Sequence, residues 1–84
     1  MADGTVNHIG IATPSLEESE ELWLKLGFSP SNDKINEEQG VKIRYMEGAG
    51  STRIELLEPL SHDTPVGRFI QRSGPGVQQI AIDV

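Results

Sequence analysis

The chain has 84 residues, no cysteine and a formal net charge of −6. That length permits one small domain with a modest core, and the missing cysteines exclude disulfides and thiolate metal sites. Its seven basic residues are scattered, a poor footprint for nucleic acid, and neither a membrane-length apolar run nor a basic, apolar leader is present, so a soluble, cytoplasmic protein is expected.

Thr5 to Ala12 alternates as a strand, with Val6, His8 and Gly10 on one face and Asn7, Ile9 and Ile11 on the other. Ile9 and Ile11 suit a helix layer, which leaves His8 on the opposite face beside a small glycine. Thr13-Pro14 breaks the strand. Ser15 and Glu18 then form a capping-box pattern for a helix over 16–26, with Glu17, Glu18, Glu20 and Glu21 at the positive end of its dipole. Leu22, Trp23 and Leu26 form its apolar stripe, with Leu16 and Ser19 above, and Gly27 suits the residue after its C-cap.

The polar, proline-bearing stretch from Phe28 to Glu38 allows only an irregular edge strand around Ser31 to Ile35. Val41 to Met46 is the next strand, and Gly48-Ala49-Gly50-Ser51 reads as a hairpin loop. Thr52 to Leu57 follows, with Arg53, Glu55 and Leu57 sharing one face. Thr64 as N-cap and Pro65 at N1 open a second helix, whose buried stripe is Val66, Phe69 and Ile70. Ser73-Gly74-Pro75-Gly76 turns into a last strand, giving the order β-α-β-β-β, helix, β.

That last strand echoes the first. Val6, Asn7, His8, Ile9, Gly10 and Ile11 align with Val77, Gln78, Gln79, Ile80, Ala81 and Ile82. A strand repeated after a whole module points to a fold built by repeating that module.

Two residues stand out chemically. Glu55 interrupts an apolar strand, and His8 sits alone on its strand face. A solvated face explains a mid-strand carboxylate, and a hydrogen-bonded or surface position explains a lone histidine. Together they also offer the imidazole nitrogen and carboxylate oxygen that suit a divalent ion such as Zn, Co, Mn or Ni. His62 reads as a loop residue before the second helix, and Gly74-Pro75-Gly76 lacks the lysine and order of a phosphate loop.

Asn7-His8-Ile9-Gly10-Ile11-Ala12-Thr13-Pro14-Ser15-Leu16-Glu17, Glu38-Gln39-Gly40-Val41 and Ile54-Glu55-Leu56-Leu57-Glu58-Pro59-Leu60 resemble the methylmalonyl-CoA epimerases, within the vicinal-oxygen-chelate superfamily. Asp63-Thr64-Pro65-Val66, Phe69 and the last strand continue the match. The resemblance implies an α+β fold: residues 1–84 as a single glyoxalase-like domain, one βαβββ module with a linking helix and the opening strand of an incomplete second module. It further implies a metal-dependent isomerase that removes and returns a proton on an acyl-CoA such as methylmalonyl-CoA. His8 and Glu55 match its metal ligands. Gln79 stands where the family carries a histidine, and Ile43 where some members carry a catalytic glutamate. The proton-transfer bases are left unassigned. Because one chain lacks a full ligand set, a homodimer is expected, in which His8 and Glu55 of two copies converge about a twofold axis and the strand over 77–84 moves, swaps or stays loose. The alternatives are a catalytically inactive module that binds small ligands or partners, and part of a longer protein.

Overall fold

In a computed structural model, residues 4–84 form a five-stranded mixed sheet with two helices. The reading of Met1-Ala2-Asp3 as lacking leader character falls outside these described residues. The elements are β1 (Thr5–Ala12), α1 (Leu16–Lys25), β2 (Ser29–Asn36), β3 (Val41–Glu47), β4 (Arg53–Pro59), α2 (Pro65–Ser73) and β5 (Gly76–Asp83), in the predicted order. The sheet order is β2-β3-β4-β1-β5. β1 and β4 are parallel, which the α1-β2-β3 connection makes possible, and the other pairs are antiparallel. No helix among the described residues is long and apolar enough to cross a membrane.

α1 starts where the cap chemistry demands. Ser15 Oγ accepts from the Glu18 backbone N–H at 3.2 Å. The return half of the capping box is taken differently: the Ser15 N–H donates to Thr13 Oγ1 at 3.1 Å, and the Leu16 N–H donates to Glu58 on β4 at 3.3 Å. Glu58 thus places a carboxylate at the helix N-terminus, where the dipole favours it. The helix ends at Lys25, with Leu26 as C-cap and Gly27 at φ +90.

The strand alternation splits the core in two. On one face α1 covers Leu16, Met46, Ile54 and Leu56, with Ile9, Ile11, Trp23 and Phe28 around them. On the other, α2 covers Ala12, Val41, Leu57 and Val66, with Ile43, Phe69 and Ile70. Each fully buried Leu or Met stabilises the fold by about 1.5–3 kcal/mol. Leu22 and Leu26 do not join the α1 stripe; they are 58% and 60% exposed. A helix lying on one flat layer buries only the residues directly beneath it, here Leu16 and Trp23, and these two leucines lie to the side.

β2 is longer than predicted and runs through Pro30, which an edge strand tolerates; its register shifts between Pro30 and Asp33. At the opposite edge, β5 covers β1. In this arrangement a second copy could pair with β1 only after β5 had left it.

The pairing of β1 with β5 realises the sequence echo as symmetry. Each β1 residue maps to its echo by adding 71, so His8 maps to Gln79, Ile9 to Ile80 and Gly10 to Ala81. In the sheet Ile9 lies opposite Ile80, Gly10 opposite Gln79 and His8 opposite Ala81. Over these residues the strands are related by a local twofold through the Ile9–Ile80 pair, and His8 and Gln79 occupy equivalent positions about it.

Candidate functional site

β1, β4 and β3 bring the predicted residues to the face that α2 only partly covers. His8 is opposite Arg53, Gly10 opposite Glu55, and Glu55 opposite Tyr45, so these side chains share one side of the sheet. α2 closes the apolar end of this face over Ala12, Val41 and Leu57. The polar end, with His8, Glu55, Tyr45 and Arg53, is not part of that cluster.

His8 Nδ1 is 3.3 Å from Glu55 Oε2. The Glu55 side chain is 9% exposed and that of His8 19%, so the carboxylate is not on a solvated face. Burial of a carboxylate in the middle of a core strand is costly unless it has a partner. The imidazole supplies one.

A second contact sets the imidazole tautomer. The Asn7 side-chain amide donates to Asp83 Oδ2 at 3.0 Å, which turns its Oδ1 toward His8 Nδ1 at 2.7 Å. Two acceptors, Asn7 Oδ1 and Glu55 Oε2, therefore face Nδ1, which must carry the proton. In the neutral ring this leaves Nε2 as the acceptor, and it faces Gln79 Nε2 at 3.5 Å. Asn7 was assigned by alternation to the face opposite His8. A β-bulge between Val6 and His8 in the β1–β5 pairing interrupts that alternation, and the two side chains meet.

Gly10 makes room for Gln79. A Cβ there would stand 2.6 Å from Gln79 Cγ and 3.1 Å from Leu57 Cδ1. The absent side chain lets Gln79 cross from β5 toward His8. Ile43 and Gln79 also border a cavity of about 80 Å³ that Glu55, Leu57 and, from α2, Pro65 and Val66 line with them. That volume suits ordered waters, so a larger ligand would have to lie on the open face.

His8, Glu55 and Gln79 are thus adjacent, as the sequence predicts. The two strong donors are of the right chemistry for a divalent ion, and the third is a neutral amide. With the ring as it stands, Glu55 and Gln79 approach different imidazole nitrogens. One cation meets all three only after the ring or a side chain turns. Among the described residues no group of three His, Cys, Asp or Glu side chains could hold a metal ion. The donors fit part of a divalent site and leave the remaining positions to be filled from elsewhere. Asn7, which faces the imidazole, and Asp83, which holds Asn7, carry no sequence signal beyond their place on two strands that echo one another. His62 lies in the exposed turn before α2.

A wider groove of about 510 Å³ lies on the α1 side, between Glu17, Glu20, Asp33 and Arg44. Its charges satisfy one another. Arg44 makes a two-pronged contact with Asp33, 2.8 Å on each arm, and reaches Glu20 at 3.5 Å and Glu17 at 3.6 Å. The Asp33 carboxyl is held below its ordinary range, first by this hydrogen bond to Arg44 and then by the nearby positive charges of Arg44 and Lys42. That groove is a structural ion-pair network joining α1 to β2 and β3.

A family model described as the glyoxalase/bleomycin resistance protein/dioxygenase superfamily matches residues 7–84. The human mitochondrial methylmalonyl-CoA epimerase is 35% identical over 83 residues, covering 96% of this chain and 47% of that protein. A hypothetical protein of Bacillus halodurans, BH1468, superposes with a TM-score of 0.91 at 38% identity, over 99% of this chain and 60% of that one. A methylmalonyl-CoA epimerase in complex with methylmalonyl-CoA and NH4+ superposes with a TM-score of 0.82 at 34% identity, over 92% of this chain and 58% of that one. The chain spans about half the length of the curated relatives it matches.

Proposed function

Because the chain belongs to the glyoxalase/bleomycin resistance protein/dioxygenase superfamily, we propose that it contributes an epimerase-like site acting on an acyl-CoA, with methylmalonyl-CoA as the substrate. The observation that carries this reading is the His8–Glu55 pair, 3.3 Å apart on the open sheet face. It lies in a chain whose relatives include methylmalonyl-CoA epimerases and a solved complex of one with methylmalonyl-CoA.

In the neutral ring His8 presents the Nε2 lone pair, because Asn7 Oδ1 and Glu55 Oε2 face its other nitrogen. Glu55 supplies a buried anionic oxygen, and Gln79 a neutral amide on the Nε2 side. These three side chains would hold a divalent ion such as Co, Zn, Mn or Ni. When bound, such an ion supplies Lewis-acid polarisation of the thioester and carboxylate oxygens and stabilises the enolate. α2 and the residues under it keep one end of the face dry, which strengthens electrostatic contacts there.

The local twofold through Ile9 and Ile80 supports the reading that β5 opens a second module after the βαβββ module. Gln79 is then the counterpart of His8. The donors still missing come from a second set of residues, and a second copy of the chain is the source we favour, in a homodimer where β5 leaves β1 and His8 of that copy takes the position of Gln79. Gln79 in place of an imidazole favours a second reading, a module that binds the ligand without turning it over.

Proton exchange distinguishes the two. Methylmalonyl-CoA is incubated in D2O with the protein and Co2+ or Zn2+, and its methyl doublet is followed by proton NMR. An epimerase site collapses the doublet to a singlet faster than buffer and metal alone, and His8→Ala removes the acceleration. Binding without exchange above the buffer rate would overturn the enzymatic reading in favour of the binding module.

A further inference from the structure

The open face carries a cation beside the His8–Glu55 pair, and its surroundings differ from those of the ion-paired arginines among the described residues, Arg44 and Arg68. Arg44 is enclosed by Asp33, Glu20 and Glu17 on the opposite face, and Arg68 meets Asp63 at 3.2 Å. Arg53 lies opposite His8 on β4, two residues before Glu55 on the same side of the strand. Among the described residues no carboxylate lies within 4.0 Å of it. Its partner is an aromatic ring: the guanidinium carbon stands 5.5 Å from the centroid of Tyr45, the residue opposite Glu55.

We propose that Arg53, steadied by Tyr45, is the carboxylate-recognition residue of this site, taking the free carboxylate of a malonyl-type acyl group. Among the described residues the Arg53 guanidinium makes no side-chain hydrogen bond or ion pair, so its N–H groups are available to match a carboxylate in a two-pronged bond. The chain carries a net charge of −6 and buries Glu55 at the site. An anionic ligand therefore needs a local cation to approach, and Arg53 is the arginine placed to serve it. The phosphates of coenzyme A are a competing source of negative charge. Arg53 is assigned to the acyl carboxylate because it neighbours the reacting end of the site, across the strand from His8.

This assignment rests on the acyl-CoA reading, and the test separates the two. Metal-free protein is titrated with malonyl-CoA, propionyl-CoA and free malonate, in the wild type, Arg53→Met and Arg53→Lys. Binding is read by calorimetry and by amide NMR, whose spectra also report whether each variant keeps the fold. Wild type is expected to bind malonyl-CoA about tenfold more tightly than propionyl-CoA, the size of one charge-assisted contact. Arg53→Met erases that preference without weakening propionyl-CoA, and Arg53→Lys keeps part of it. If neither thioester binds but malonate does, with about a tenfold loss in Arg53→Met, Arg53 keeps its role and the acyl-CoA reading fails. If Arg53→Met weakens both thioesters equally, the guanidinium meets a coenzyme phosphate and the assignment is overturned. It is equally overturned if no carboxylate probe loses affinity on that substitution.

Discussion

Gly10→Ala tests the packing that brings Gln79 to His8. The new Cβ would lie 2.6 Å from Gln79 Cγ, 3.2 Å from Gln79 Cδ and 3.1 Å from Leu57 Cδ1. Carbon atoms in ordinary contact stand about 3.5–4.0 Å apart, so Gln79 must retreat by roughly an ångström and Leu57 by less. Cγ lies near the root of the Gln79 side chain, so Gln79 clears the new methyl only by giving up its place beside His8, and Leu57 is 4% exposed beneath α2. Overpacking of this kind costs about 1–3 kcal/mol. Replacing a strand glycine returns about 0.5–1 kcal/mol of backbone entropy, which leaves a net loss near ~1 kcal/mol. In a domain of this size that lowers Tm by about 4–8 °C. Gln79→Ala removes both clashing Gln79 atoms and spares Leu57, so the cost of Gly10→Ala should shrink by about 1 kcal/mol in that background. Urea unfolding of the wild type, both single variants and the double variant measures this coupling. Additivity within about 0.3–0.5 kcal/mol would show that Gln79 does not lie over Gly10, and the proximity of Gln79 to His8 would fall with it.

Gly67→Ala should be far more damaging, because its Cβ would meet the Ser61 and His62 carbonyl oxygens at 2.5 and 2.7 Å, backbone atoms that cannot rotate aside; a thermal melt should show a drop beyond that of Gly10→Ala despite the better helix propensity of alanine. Gln79→His places an imidazole at the position equivalent to His8, and calorimetry with Co2+ or Zn2+ should show affinity rising by about tenfold; unchanged affinity would mean that position 79 does not face the ion. Asp33 contributes an acid-sensitive part of the stability. Its folded-state carboxyl is depressed below the ordinary aspartate value of 3.8, so its contribution is full above that value and is lost as pH falls through the lower folded one. Asp33→Asn should therefore lose stability at neutral pH and show a shallower decline on acidification, measured by urea midpoints from pH 6 to 2.5.

Elements announced by their end chemistry were legible in the chain. Ser15, Gly27, Thr64-Pro65 and Gly74 mark helix ends by which backbone groups they can satisfy, and both helices fall within a residue of those marks. The strand alternation likewise separated Ile9 and Ile11 from His8. It failed at Asn7, because a bulge is a property of two paired strands and neither strand reveals it alone. Leu22 and Leu26 fit a helical stripe, yet the single layer beneath α1 has no room for them. Arg44 looked like one of several scattered cations; only the folded chain gathers Asp33, Glu20 and Glu17 around it. At the site, His8, Glu55 and Gln79 were visible as residue types and as a resemblance. Their geometry depends on Gly10, Asn7 and Asp83, and the contact of Arg53 with Tyr45 is a diagonal neighbourhood that sequence spacing does not display.

Native mass spectrometry with and without added Co2+ or Zn2+, on the wild type and His8→Ala, tests the central claim most directly. It reports subunit count and bound metal together. If His8 and Glu55 are half of a divalent site completed by a second copy, the wild type carries one metal per pair of chains and His8→Ala carries none. A protein that takes up no metal in any assembly, or one whose metal content is indifferent to His8→Ala, would contradict it.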